Sequence, residues 1–121
     1  MITRRMLLLG LLCCAALGAG AIGWFGWQSY QASRQVLFSI PAGTVARIEA
    51  GETINVLPAT IELQRGVRDI LVIENDDTAP IQVGPYLIAP GQRFSQQYHN
   101  RGTFDLLCSV HPSQRMQVVV R

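Results

Sequence analysis

The chain has 121 residues, enough for one small domain and an anchor, with ten Arg, no Lys and eight acidic residues. The net charge of +2 comes from Arg4 and Arg5, since from Gln28 onward the Arg and acidic residues balance. A neutral domain without a basic stripe argues against nucleic acid as partner, and Cys108, the one thiol outside the apolar N-terminal run, excludes a disulfide within the domain.

Arg4-Arg5 precede Met6–Trp27, 22 residues without a charge. As a helix this run spans roughly 33 Å, enough to cross a bilayer core. Trp24, Trp27 and Tyr30 lie at its far end, where an interfacial aromatic belt is expected. Residues 1–5 read as a cytoplasmic N-terminus, 6–27 as a transmembrane anchor, 28–35 as a polar stalk and 36–121 as an extracytoplasmic domain. The expected location is the cell membrane, with a single pass. The rival reading is a cleaved signal peptide with Ala19-Gly20-Ala21 at the cleavage site. Bulky Leu11 and Leu12 before Cys13 disfavour lipid attachment there.

Beyond the stalk, Val36–Ile40 and the alternating Thr44–Glu49 read as strands, and Thr53–Leu57 as extended. Thr60–Gln64 alternates, with Ile61 and Leu63 on one face. Ile70–Glu74 is the best candidate for a central strand, closed by Asn75-Asp76-Asp77. Ile81–Val83, Tyr86–Ile88, Gln92–Gln97 and Thr103–Leu107 follow, with Gln117–Val120 last. Eight or nine short strands and no convincing amphipathic helix outside the anchor predict an all-β sandwich or barrel.

Between the last two strands lies Cys108-x2-His111-x4-Met116. A loop can turn a thiol, an imidazole and a thioether to one point, and that set suits copper. Met116 alone would more ordinarily be core.

Leu57-Pro58-x2-Ile61-x-Leu63-x2-Gly66, Ile70-Leu71-Val72-Ile73-x-Asn75-x-Asp77, Pro90-Gly91 with Phe94, and Gly102-x-Phe104-x3-Cys108-x2-His111-Pro112-x3-Met116-x3-Val120 occur in one order. Together they resemble the cupredoxins, over roughly Leu57 to Val120. The resemblance implies a Greek-key β-sandwich preceded here by one transmembrane helix. It implies a mononuclear copper site with Cys108 as thiolate ligand, His111 as C-terminal His ligand and Met116 as weak axial thioether. The family's other His follows the Asn-x-Asp turn, and Ile81 stands at that position. Gln82 points to the opposite strand face. His99 precedes the strand that Cys108 follows, about 17 Å away.

Three accounts follow from that departure. A three-ligand site would favour Cu(I), whose soft character suits thiolate and thioether. A partner subunit would supply the missing ligand. Or the site is vestigial, and the domain is a copper-free structural or interaction module of a membrane-associated complex. The expected function is copper binding for electron transfer or copper handling, with a redox or membrane-complex protein as partner. No Ser/His/Asp pairing or phosphate loop is present, so the chain reads as no enzyme, with no small-molecule substrate identified.

Overall fold

The structure is a computed structural model in which residues 3–121 are described. The chain divides into two compact units, one ending at Ser33 and one running from Arg34 to Arg121. Met1 and Ile2 of the expected cytoplasmic tail lie outside the described residues.

The first unit is one helix, α1 (Arg4–Ser33). Its 30 residues span about 45 Å. None of its described side chains is buried, and the helix is long and apolar enough to cross a membrane. It continues through the polar Gln28–Ser33 segment, where the Ser33 hydroxyl donates to the Tyr30 carbonyl oxygen (2.7 Å). Trp24 and Trp27 stack obliquely near that end, ring centroids 6.2 Å apart.

The second unit comprises β1 (Gln35–Ile40), α2 (Thr44–Glu49), β2 (Thr60–Leu63), β3 (Ile70–Asn75), β4 (Ile81–Val83), β5 (Tyr86–Ile88), β6 (Arg93–Gln97), β7 (Gly102–Leu107) and β8 (Arg115–Val120). One sheet has the order β1-β3-β6 and another β2-β8-β7. Both are mixed: β1 runs parallel to β3 and β2 parallel to β8, while β3–β6 and β7–β8 are antiparallel. The small β4–β5 hairpin meets the end of β7 through a bridge between Val83 and Cys108. The two sheets enclose one core, built from Ile40, Leu57, Ile61, Leu63, Leu71, Ile73, Val118 and Val120 with their neighbours. β3 is the central strand of its sheet, and Ile70 to Ile73 are buried on both faces, as its uninterrupted apolar run requires.

One sequence expectation is corrected. Thr44–Glu49 is a helix, not a strand. Val45 and Ile48, three apart, both pack on the core, which suits a helical turn. Gly43 enters the helix at φ 83°, a conformation glycine adopts without strain. Its first turn is capped from a distance. The Asp77 carboxylate accepts the N–H groups of Gly43 (3.0 Å) and Val45 (2.8 Å), donors a helix start otherwise leaves unpaired.

The Val45 N–H, ahead of an opposing burial effect and with further N–H groups from Gly43, Thr78 and Ala79, holds the Asp77 carboxyl below the usual aspartate range. A folded-state value below the unfolded one stabilises the fold above the ordinary aspartate range. That contribution is lost as pH falls through the depressed value. An Asp77→Asn chain should therefore show a shallower loss of stability on acidification below pH of about 4 than the unsubstituted chain, measured by denaturant midpoint against pH. Identical pH profiles would remove Asp77 from the acid response.

Candidate metal centre

Strands β7 and β8 form a hairpin, with Leu106 opposite Met116 and Leu107 opposite Arg115. The ladder closes where the Cys108 N–H donates to the Gln114 carbonyl oxygen (3.0 Å). Gln114 is the one non-glycine residue at positive φ (56°) among the described residues. It turns the chain back into β8 after a loop of Ser109 to Ser113. The His111 N–H reaches the Cys108 carbonyl oxygen at 3.4 Å, and the Gln114 N–H the His111 carbonyl oxygen at 2.9 Å.

By this register Cys108 and Met116 lie diagonally across the hairpin on its inward face. Both are 1% exposed. Such diagonal pairs have Cα atoms about 7–8 Å apart, near enough for two sulfurs to reach one ion. Seating β4 on this end supplies the rest of the wall. The Gly84 N–H donates to the Leu107 carbonyl oxygen (2.6 Å), the Ser109 N–H to that of Gln82 (3.0 Å), and the Gln82 N–H to Ser109 Oγ (2.9 Å). Gly84 permits the approach, since a Cβ there would stand 3.0 Å from Leu106 Cδ2. Ile81 and Val83 therefore join Cys108, Val110 and Met116 in the core, with Ile81 at 0% exposure. Gln82 faces outward, as its strand position requires.

Asn75 fixes this arrangement from below. Its side-chain amide donates to the carbonyl oxygens of Ala79 (2.9 Å) and Ile88 (3.0 Å), and its Oδ1 accepts the Asp77 N–H (3.0 Å). The end of β3 is thereby tied to both ends of the β4–β5 hairpin. Asn-x-Asp was legible as a turn, but its second task, positioning the strand that carries Ile81, was not.

His111 is half-buried, and its ring is already engaged. The Ser113 N–H donates to His111 Nδ1 (3.2 Å), which makes Nδ1 an acceptor and assigns the ring proton to Nε2. Ser113 Oγ lies 2.7 Å from the same nitrogen and 3.0 Å from the Arg115 carbonyl oxygen, and its one proton can serve either. Sequence reading missed Ser113. The signal available was a hydroxyl directly after a His-Pro pair, two residues from the His, a spacing at which Ser folds back on its neighbour.

The three expected ligands share one loop but no single cleft. Cys108 floors a cleft with Gln82, Ser109 and Gln114, His111 faces Leu57, Pro58 and Pro112, and Met116 borders a third with Thr60 and Asp105. His99 is exposed beyond β6, at the end of β7 away from Cys108. Among the described residues no group of three His, Cys, Asp or Glu side chains comes together.

Burial pushes the Cys108 thiol above its usual range, against the Val110 and His111 N–H groups, which favour the thiolate. The thiol is thus protonated near neutral pH, and a metal bound there would displace its proton. Cys108 and Met116 put two sulfurs on one buried face below the His111 loop, and the neighbouring buried Ile81 side chain carries no donor atom.

No family model and no curated protein matches the chain. Among solved structures it is similar to a purple cupredoxin from Nitrosopumilus maritimus, at 20% identity over 71% of this chain and 99% of that one, with a TM-score of 0.50. It is also similar to amicyanin from Paracoccus versutus, at 17% identity over 72% and 81% of the two chains, TM-score 0.49. With its two mixed sheets, its β4–β5 hairpin and its terminal β7–β8 hairpin, the second unit has a cupredoxin-like β-sandwich fold.

Proposed function

We propose that the chain is a membrane-anchored copper protein that holds Cu(I) through Cys108, Met116 and His111, for electron transfer or copper handling. The observation that carries this reading is the diagonal placement of Cys108 and Met116 on the inward face beneath the His111 loop. Copper there would supply one-electron chemistry. The protein's part is to keep the sulfurs dry with Ile81, Val83 and Val110, and to exchange the Ser113–His111 hydrogen bonds for a metal bond. An apolar Ile81 in place of a fourth donor favours Cu(I) over Cu(II). In this reading α1 is an uncleaved anchor with the N-terminus in the cytoplasm and the sandwich outside. The partner would be a redox or membrane-complex protein, and the chain would be no enzyme.

A second reading is favoured by one specific pair of observations. Ile81 is fully buried, and His111 Nδ1 is satisfied within its own loop. Both suit a copper-free structural or interaction module. Metal analysis of the full chain in detergent separates the two. The copper reading expects one Cu(I) per chain, held less tightly as pH falls because the Cys108 proton competes. No uptake of Cu(I) or Cu(II) leaves the module reading.

A further inference from the structure

The neutral charge of the second unit conceals a segregated one. Arg65, Arg68, Arg101 and Arg121 border one cleft of about 470 Å³ at one end of the sandwich, with Glu62 as the lone acidic lining residue. Glu62 is spoken for by Arg121 (3.3 Å). Arg34, Arg47 and Arg93 pair with Asp69, Glu52 and Glu74. Arg65, Arg68 and Arg101 have no ion-pair partner among the described residues. The carboxylate next to them, Asp69, is buried and neutralised by Arg34. A terminal carboxylate on Arg121 would add one negative charge and still leave arginine in excess.

The backbone holds this cluster in place. A tight turn pairs Gln64 with Arg68 in both directions (2.9 and 2.8 Å), with Gly66 at φ 78°. The Arg65 N–H donates to the Arg121 carbonyl oxygen (2.8 Å), and the Arg121 N–H to that of Leu63 (3.0 Å). Val67, 53% exposed, stands at the tip between Arg65 and Arg68.

The cluster's place in the fold says what it meets. It lies where β1, β3 and β7 begin and β2 and β8 end, so it is the end at which the chain enters the sandwich. Val36 lines the cleft, and only Arg34 and Gln35 separate it from the last residue of α1. Three residues of backbone reach at most about 11 Å. The Cys108–Met116 loop lies at the opposite end of β7 and β8.

We propose that Arg65, Arg68 and Arg101 form a binding surface for the phosphate groups of anionic phospholipids, an inference that rests on α1 being a retained membrane anchor. Guanidinium groups match phosphate geometry, and each basic side chain near an anionic bilayer raises association roughly fivefold.

The test uses the full chain in nanodiscs of pure phosphatidylcholine and of phosphatidylcholine with a quarter phosphatidylglycerol, read by amide hydrogen exchange. Amides of residues 64–68 and 101–102 are expected to exchange at least about tenfold more slowly in the anionic discs. That difference should vanish in high salt and in the Arg65→Ala/Arg68→Ala/Arg101→Ala chain, whose β3 and β8 protection reports an intact fold. Equal exchange in both disc types, or protection that survives the triple substitution, overturns the inference. So does equal protection produced by inorganic phosphate in pure phosphatidylcholine discs, which would assign the cleft to a soluble phosphate. Failure of the chain to insert into either disc overturns the anchor and this inference together, whereas insertion without lipid-dependent protection overturns this inference alone.

Discussion

An Asp69→Ala chain is expected to lose about 3–5 kcal/mol of folding stability. Asp69 is 2% exposed and receives Arg34 in a two-point grip, Nε to Oδ1 at 3.0 Å and Nη2 to Oδ2 at 2.6 Å. Its Oδ2 also accepts the Gly66 N–H (3.1 Å). Burial pushes the Asp69 carboxyl up, but Arg34, the Gly66 N–H and Gln97 outweigh it, so the net displacement is downward. The ionised form is therefore the bonded one at neutral pH. The group stabilises the fold above the usual aspartate range, and this is lost as pH falls through its depressed value.

Removing the carboxylate leaves the Arg34 guanidinium, whose side chain is 14% exposed, without its principal anion. The loss is large because a carboxylate bonded in the interior is removed from a desolvated pair, not because the pair itself stabilises strongly. A chain carrying Arg34→Met and Asp69→Leu together should accordingly recover most of the loss. Denaturant unfolding of the full chain in detergent checks both variants. A loss under about 1 kcal/mol for Asp69→Ala would show the pair to be as weak as an exposed one.

The second large effect is expected at Ile81. Its side chain is fully buried against the wall shared with Cys108 and Met116. An Ile81→His chain places an imidazole in that dry position, at a cost of roughly 1–3 kcal/mol without metal, from burying a polar ring beside apolar neighbours. Copper should reverse that cost, because a ligand bound only to the folded state stabilises it in proportion to its affinity. With two imidazoles, a thiolate and a thioether the variant is expected to accept Cu(II) and show the intense visible thiolate-to-copper band. The unsubstituted chain is expected to stay colourless with Cu(I). A folded Ile81→His chain that takes up Cu(II) without that band would place Ile81 away from the ligand position.

Local pattern foretold the strands well where one sequence feature decided them. β3 is an unbroken apolar run and is buried on both faces. Thr60–Leu63 alternates and shows the expected inward Ile61 and Leu63. The failures have a common cause, namely partners far away in sequence. Thr44–Glu49 has an alternating pattern that either conformation tolerates, and its deciding cap, Asp77, lies more than thirty residues downstream. The parallel pairings β1–β3 and β2–β8 are equally invisible to local pattern.

At the site, the spacing of Cys108, His111 and Met116 identified the loop, and the hairpin register puts the two sulfurs on one face. The state of His111 was not legible, because it depends on a side-chain rotation that lets Ser113 reach Nδ1. The arginine-rich end was hidden for a simpler reason. A net charge sums over the surface, and Arg65, Arg68 and Arg101 are offset by acids located elsewhere.

The most direct test of the copper reading is a Cu(I) competition titration of the full chain beside its Cys108→Ser and Met116→Leu variants. Met116→Leu conserves volume in the core, so a change in affinity there reports the thioether and not the fold. The account predicts one Cu(I) per chain, abolished by Cys108→Ser and weakened at least about tenfold by Met116→Leu, a difference of about 1.4 kcal/mol. Uptake unchanged in both folded variants would contradict it.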